Sequence, residues 1–213
     1  MSARGAPRLR LTRQRIIEVA VAIVDADGAE GLTMRRLGER LGVDPMTVYH
    51  HLPNKAAVLD GIVEWLWDGV ELPPASPTES WQEVVIGVFA AFRERLLAHP
   101  RAVAIIGTRP STTPALFRLI EGCLQRLEAA GLAGSEAMPL IDCLSAFTIG
   151  KVLAETSDVA GGHSESIAAA LVSLTPQSHP TLLNALAGGY SFTPEAEFRR
   201  GLRALVTGWN LEP

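Results

Sequence analysis

The chain has 213 residues, of which 47% are hydrophobic and 20% charged, and its net charge is −4. This composition is typical of globular proteins and excludes a disordered or fibrous chain. We expect no membrane span, because no run of consecutive apolar residues approaches the roughly 20 that a bilayer requires. The N-terminus has no apolar stretch, so no secretory signal is expected. Cys123 and Cys143 form no C-x-x-C pair and fit unpaired thiols in a reducing cytoplasm.

The charge is unevenly distributed along the chain. Residues 1–55 carry nine basic and six acidic side chains, and the first fifteen residues carry five arginines and no acid. The rest of the chain is therefore acidic. A basic N-terminal segment on an acidic body indicates that this segment meets a polyanion, although a solvated basic tail would have the same composition.

Four helices are predicted in the first 72 residues, because apolar residues recur at helical spacing between good capping residues. The predicted start and end of each helix are marked by Thr12 and Gly28, by Thr33 and Gly42, by Asp44 and Pro53, and by Lys55 and Val70. Pro45 stands at the first position of the third helix, where its missing N–H costs no hydrogen bond. Two short helices joined at Gly42 and Val43, after a longer support helix, predict a helix-turn-helix.

The remaining sequence is also helical in pattern, and no strand periodicity is convincing. After a Pro-rich break at 72–77, we predict helices at 78–98, 101–106, 112–130, 135–157, 180–187 and 193–209, with a looser stretch at 158–178. The predicted fold class is all-α. We expect three parts: an N-terminal arm and helix-turn-helix at 1–55, a connecting helix at 56–72 and a C-terminal helical domain at 73–213.

The stretch DPMTVYHHLPNK, at 44–55, concentrates side chains that can bind or catalyse. A metal site is disfavoured because His50 and His51 are neighbours, about 100° apart on a helix, whereas a metal-binding pair needs a spacing of four. A hydrolase site is disfavoured because Thr47, on a short exposed helix, has no predicted cleft around it. A surface that contacts DNA fits best, because a recognition helix presents its first turn to base edges.

Within that interpretation, Met46 and Thr47 are expected to meet bases, and Tyr49 and His51 to donate to phosphates. Lys55 supplies a positive charge at the start of the next helix. Thr33 and Arg35 begin the second helix, where backbone N–H groups and a guanidinium suit a phosphate. A solvated helix surface without function is the alternative interpretation.

The run GLTMRRLGERLGVDPMTVYHHLPNKAAVLD, at 31–60, resembles the DNA-binding domain of the tetracycline-repressor (TetR) family. The segments ESWQE, LLAHP, GTRP, LSAFTIGKVLAE and FRRGLRALVTGW resemble the C-terminal domain of the tetracycline repressors. The resemblance implies an N-terminal helix-turn-helix domain and a C-terminal domain for ligand binding and dimerisation. The DNA contacts that it implies are Thr33, Arg35, Pro45, Met46, Thr47, Tyr49, His50, His51 and Lys55. It also implies a homodimer through Met138–Glu155 and Glu195–Trp209, bound to a double-stranded DNA operator.

The same resemblance implies a cavity for a small-molecule effector of unknown identity. The candidate contacts are Trp65, Phe89, Phe92, His99, Ile105, Arg109, Phe117, Glu121, Cys123, Cys143 and Phe147. Tetracycline repressors hold a drug–Mg²⁺ complex with an Asn, a His and a Gln, which align with Val88, Ile105 and Cys123 here. We therefore expect a more hydrophobic effector, no metal site built by the chain and no cofactor, and the sequence leaves open whether a metal accompanies the effector.

The function expected is a cytoplasmic repressor that a small hydrophobic effector releases from a palindromic operator. One alternative is an effector-independent or activating regulator of the same family. A remote alternative is a helical enzyme that uses Cys123 with His99, although no other catalytic motif accompanies them. A further alternative is an interaction module that has lost DNA binding, which the intact DNA-contact set disfavours.

Overall fold

The computed structural model describes residues 11–72, 74, 78–109, 112–156, 172–189 and 193–209. The α-helices are α1 Arg13–Asp27, α2 Met34–Leu41, α3 Pro45–Tyr49, α4 Lys55–Asp68, α5 Trp81–Ala98, α6 Val103–Thr108, α7 Pro114–Ala129, α8 Gly134–Thr156, α9 Pro180–Ala187 and α10 Pro194–Thr207. Short 3₁₀ turns precede α2 and α6, and these ranges contain no strand. The predicted all-α fold is confirmed. Most of the predicted looser stretch, and the arginines before residue 11, lie outside the described residues.

Capping residues set the helix starts. The Oγ1 atoms of Thr12 and Thr33 accept from the N–H groups of Arg15 and Arg36, both at 3.1 Å. Asp44 accepts from the Met46 N–H at 2.8 Å. These bonds satisfy N–H groups that have no partner inside a helix. Helix α5 begins at Trp81, later than the predicted residue 78, because the capping box is formed by Ser80 and Glu83.

Helices α1 to α4 form one packed unit at the N-terminal end. Ile16, Leu37, Val48 and Ile62, one from each helix, have no accessible surface. Gly38 lets α2 approach the turn closely, since an added Cβ would lie 2.9 Å from the Val43 carbonyl oxygen. The second half of the helix-turn-helix is therefore held rigidly, with its remaining face outward.

Helix α5 lies at the centre of the C-terminal half and packs against α7, α8 and α10. Arg93 of α5 is buried and forms ion pairs with Glu155 of α8 at 2.7 Å and Glu195 of α10 at 2.6 Å. Its guanidinium also lies 5.0 Å from the ring centroid of Phe198. Helix α4 contacts both α1 and α7, so it connects the two halves of the molecule.

Helix α8 is long and apolar enough to cross a membrane, by length and composition alone. It has 23 residues, and its most apolar 18-residue window has a mean hydropathy of 1.5 with 28% of the window buried. The expectation of no membrane span rested on runs of consecutive apolar residues, and α8 contains no such run near 20 residues. The average over a window is a less strict test. The contacts of α8 with α5, α6, α7 and α10 are those of a core helix in a globular domain.

Candidate DNA interface and effector cavity

Helix α3 has one fully buried side chain, and its other side chains are exposed or half-buried. Val48 is fully buried, whereas Met46 and Tyr49 remain 61% and 41% exposed. His50 and His51 are exposed as well, and Pro45 and Thr47 are half-buried. The side chains predicted to contact DNA from this segment are therefore accessible, although Pro45 and Thr47 are only partly so.

The start of α2 lies beside this surface. Thr33 is exposed and caps the helix, and the Arg35 side chain is 85% exposed, with only a 3.6 Å ion pair to Glu39. Arg36, the next residue, points the other way and pairs with Asp27. Arg35 is thus free to reach a phosphate, whereas Arg36 joins α1 to α2.

Lys55 has a structural bond that the sequence did not indicate. Its Nζ donates to the Ala29 carbonyl oxygen at 2.9 Å, across the turn between α1 and α2. An ammonium group carries three N–H donors, so two remain for an anion. Lys55 therefore fastens the first residue of α4 to the helix-turn-helix.

A cavity of about 610 Å³ lies between α4, α6, α7 and α8. Its principal apolar walls are Trp67, Ile106, Leu116, Ile120, Ile141 and Leu153, and its polar side chains are Asp142 and Ser145. A narrow extension toward α5 shares Trp67 and Ile120 and adds Val88, Phe89, Phe92 and Cys123. This lining suits an organic molecule with few polar groups.

Three of the predicted effector contacts, Phe89, Phe92 and Cys123, line the extension of this cavity. The other eight are not among its lining residues: Trp65, His99, Ile105, Arg109, Phe117, Glu121, Cys143 and Phe147. Phe147 instead stacks on Phe198, with ring centroids 5.6 Å apart. Phe117 is 56% exposed. Apolar periodicity marks which residues are buried but not which neighbour each face meets, so these positions could not be sorted from sequence.

The sequence reasoning overlooked several wall residues, among them Trp67, Ile120, Ile141 and Ser145. One signal could have found some of them. Ile120 is three residues before Cys123 on α7, and Ser145 is four residues after Ile141 on α8, so each pair shares a helix face.

The residues at the positions that hold Mg²⁺ in tetracycline repressors do not fit a metal here. Val88 and Ile105 are buried and apolar. Burial raises the pKa of the Cys123 thiol to about 11, against a smaller opposing effect of Arg126, so the thiol stays protonated at neutral pH. The described part of the chain contains no group of three or more His, Cys, Asp or Glu side chains that could hold a metal ion.

His99 and Arg109 make contacts that join the cavity half of the molecule to the DNA-facing half. His99, after α5, lies 2.9 Å from Asp25 of α1, measured from Nδ1 to Oδ2. Arg109, at the end of α6, pairs with Asp60 of α4 at 2.6 Å and donates to the Ala56 carbonyl at 3.3 Å. Helix α6 therefore forms part of the cavity wall and, through Arg109 at its end, also contacts α4.

Comparison with known proteins agrees with this arrangement. Residues 16–62 match the bacterial regulatory proteins of the tetR family, and residues 73–211 match the tetracyclin repressor-like C-terminal domain. The chain is 31% identical over 207 residues to the class E tetracycline repressor protein of Escherichia coli, covering 95% of this chain and 92% of that protein. It is 33% identical over 203 residues to an HTH-type transcriptional regulator of Saccharopolyspora erythraea, covering 93% and 84%.

Among solved structures, ActR of Streptomyces coelicolor in complex with actinorhodin is similar, with a TM-score of 0.80 and 28% identity over 94% of this chain and 97% of ActR. TetR of Acinetobacter baumannii has a TM-score of 0.70 and 25% identity, over 94% and 97% of the two chains. The exposed recognition helix, the apolar cavity and these matches lead to one conclusion. The chain belongs to the tetracycline-repressor family of bacterial regulatory proteins and is a ligand-responsive, DNA-binding transcriptional regulator.

Proposed function

We propose that this regulator is a homodimeric repressor that a small apolar molecule releases from a palindromic operator. The observation that carries the proposal is the apolar cavity of about 610 Å³. Helix α6 forms one wall of this cavity. Arg109, the residue that follows α6, pairs with Asp60 of α4. The ligand site is therefore linked to the DNA-facing half through the contact between α6 and α4.

On the DNA side, the exposed residues of α3 read base edges. Met46 meets thymine methyl groups and Thr47 forms a hydrogen bond, while Tyr49, His51 and Lys55 hold phosphates. Thr33, Arg35, Pro45 and His50 complete the interface. The exposure of Met46 and Arg35 supports these roles, since neither is engaged in the packing of the domain.

A palindrome requires two recognition helices at a fixed separation, and hence a dimer. We assign the interface to α8 and α10, within 138–155 and 195–209. Five exposed residues of α8 recur every four positions, at Met138, Asp142, Ala146, Gly150 and Ala154. The first four also line the effector cavity, so the cavity borders the proposed interface. An apolar helix with so little of its surface buried in one protomer supports a second copy as the cover.

The effector is an apolar organic molecule rather than a drug–metal complex. The wall residues Ile106, Leu116 and Ile120 offer apolar contact, and Ser145 and Asp142 offer a small number of polar contacts. A structural neighbour, ActR, was solved in complex with actinorhodin, which supports an organic small molecule as the ligand. We therefore assign the effector to the class of largely apolar organic molecules, because the residues that line the cavity are mostly apolar.

Release requires that the effector bind the non-DNA-binding state more tightly than the DNA-binding state. By linkage, DNA then weakens effector binding by the same factor. We propose that α6 moves on ligand binding, that Arg109 draws α4 with it through Asp60, and that the two recognition helices leave the separation the operator requires. A structure of the dimer with effector but unchanged recognition-helix separation would contradict this mechanism.

The proposed division of the chain follows the same contacts, with DNA binding at 1–55, connection at 56–72, and effector binding and dimerisation at 73–213. Operator binding implies the cytoplasm of a bacterial cell. We propose no enzymatic role, since the Cys123 thiol is protonated and His99 is engaged by Asp25 and Trp65.

The test is fluorescence anisotropy of labelled DNA from upstream of the regulator's own gene, at two salt concentrations, with scrambled DNA as control. Selective binding that weakens with salt is expected, because phosphate contacts release counterions. A panel of apolar compounds is then added to the complex. Release by one of them supports the repressor, whereas tighter binding or no effect across ligands that bind the free protein would favour an activator or an effector-independent regulator.

A further inference from the structure

A second, polar cleft of about 340 Å³ lies where α1, α4, α5 and α7 meet. It is separate from the apolar cavity, and the two share no lining residue. Its ionisable and aromatic residues are Arg13, Glu64, Trp65, Asp68, Arg95 and Arg118. Three guanidinium groups and two carboxylates leave this cleft with one unbalanced positive charge.

Arg95 of α5 is held in a fixed position in this cleft. Its guanidinium carbon lies 3.7 Å from the centroid of the Trp65 ring, and its Nη2 donates to the Trp65 carbonyl oxygen at 3.2 Å. Gly69 lies against the other side, where an added Cβ would be 2.3 Å from Nε. The guanidinium is therefore oriented before any ligand arrives, which lowers the entropy cost of binding.

The unbalanced charge belongs to Arg95. The other two arginines are paired, Arg13 with Glu64 at 2.8 Å and Arg118 with Asp68 at 3.0 Å. Arg95 forms no ion pair with the described carboxylates, its Nε is buried without a hydrogen-bond partner, and no bond from Nη1 is observed among those residues. A half-buried cation without an anion is energetically unfavourable.

The electrostatics agree with this geometry. Burial lowers the pKa of the Arg95 guanidinium from its ordinary value, and the more distant charges of Asp25 and Asp68 oppose that effect. An anion placed in the cleft would compensate the desolvation directly.

We propose that this cleft is a second ligand site, which binds a small organic carboxylate. A single carboxylate matches the one unbalanced positive charge, and charge-assisted hydrogen bonds from a guanidinium are strong and directional. The Trp65 indole, one face of which is covered by the guanidinium, also lines the cleft and supplies apolar contact for the organic part of the ligand. The volume lies at the lower end of small-molecule sites, which span roughly 300–1,000 Å³.

The experiment uses sodium benzoate as the probe and the full chain, with binding measured by isothermal titration calorimetry at constant ionic strength. Saturable binding is expected. Arg95→Gln should weaken the affinity at least tenfold, which corresponds to about 1.4 kcal/mol. Arg15→Gln serves as the matched control, because Arg15 lies on α1 outside the cleft and pairs with Glu18; its affinity should equal that of the unmodified chain.

Arg118→Gln is a second variant, in case Arg95→Gln does not fold. Arg118 lies at the rim of the cleft and is largely exposed, so its substitution should leave the fold intact. It should weaken benzoate binding about threefold to fivefold, on the scale of a partly screened charge. Binding that survives in Arg95→Gln but is lost in Ile120→Ala would locate the probe in the apolar cavity and overturn the proposal. Absence of saturation, or equally tight binding of inorganic phosphate, would overturn it too.

Discussion

Arg109 and Asp60 join the end of α6 to the first half of α4, with Arg109 Nη2 2.6 Å from Asp60 Oδ1. The Arg109 side chain is 24% exposed and the Asp60 side chain 57% exposed, so the pair is partly screened by solvent. Its effect on stability is therefore small, about 1 kcal/mol or less. Its position, between the effector cavity and α4, is the reason that the release mechanism proposed above runs through this pair.

Arg109→Ala should uncouple ligand binding from DNA release. We expect operator affinity to stay within about threefold of the unmodified protein, while the effector concentration for half-release rises about tenfold, a coupling change of about 1.4 kcal/mol. Anisotropy titrations of the operator complex measure both quantities. The control is Arg118→Ala, which removes a comparable pair between α7 and α4; equal loss of release in both variants would contradict a specific role for Arg109.

Substitutions on α3 should separate sequence reading from general affinity. Met46→Ala should change the preferred operator, with a discrimination loss of about 1 kcal/mol at one base pair, on the scale of one buried methyl group. Arg35→Ala should instead weaken binding to all sequences alike and reduce the salt slope by about one. Binding to a library of single-base operator variants at two salt concentrations measures both, and a uniform loss in Met46→Ala would remove that residue from base contact.

Gly150→Arg should prevent dimerisation without disturbing the protomer. Gly150 is exposed on α8, and an added Cβ there meets nothing within 4 Å in the protomer. A charged side chain in an apolar interface would remain unpaired and costly. Sedimentation velocity is expected to show a monomer with unchanged helix content, whereas Ala129→Arg, at an exposed position near the end of α7, should leave a dimer. A dimer in both variants would place the interface elsewhere.

The buried ion pairs of Arg93 should matter most when one member is removed. Arg93→Ala leaves Glu155, whose side chain is 6% exposed, without its partner, and should lower the free energy of unfolding by about 3–5 kcal/mol. Glu195 is 56% exposed and can be solvated instead. The double variant Arg93→Met with Glu155→Met should recover most of the loss, as measured by urea unfolding at one fixed protein concentration. No recovery would show that packing against Phe198, rather than charge, sets the cost.

The Cys123 thiol should make stability fall at high pH. Its folded pKa, about 11, lies above its ordinary value of 9.0 because of burial, so the folded chain keeps the proton that the unfolded chain has lost. The contribution of this thiol to the free energy of unfolding is fully present below pH 9 and is lost as pH rises toward 11. Its upper limit is about 3 kcal/mol. Unfolding between pH 8 and 11 in a Cys143→Ser background, compared with Cys123→Ser in that background, isolates the effect; parallel curves would contradict it.

The same thiol should react slowly with iodoacetamide at pH 8, since only the thiolate is nucleophilic. Mass spectrometry of the Cys143→Ser protein measures this rate. Rapid alkylation of the folded chain would revive the alternative in which Cys123 acts as a nucleophile.

Local chemistry made much of the fold predictable. Thr33, Gly42 and Asp44 bound the two short helices of the DNA-binding unit through hydrogen bonds to residues at most four positions away, and Pro45 begins α3 as predicted. Helix α3 ends at Tyr49, earlier than the predicted Pro53. The inward side chain of α3, Val48, followed from helical spacing. The exposure of Met46 and Tyr49 followed from the same periodicity.

The effector cavity was much less predictable, since its walls come from four helices separated along the chain. Phe92 and Phe147 have the same apolar character in the sequence, yet one lines the cavity extension and the other stacks on Phe198. His99 could equally have been a ligand contact until its distance to Asp25 was known.

The sequence by itself determined the helices, their caps and the residues of α3 that remain exposed, because these depend on interactions within a few residues. It also carried the family resemblance. Only the tertiary structure decided which faces enclose the apolar cavity, that Lys55 fastens α4 to the turn at Ala29, and that Arg95 is left without a carboxylate beside a polar cleft. Those outcomes depend on how helices that are distant in the chain cross each other. Packing and desolvation then determine which helix face is buried, and the sequence alone does not distinguish these faces.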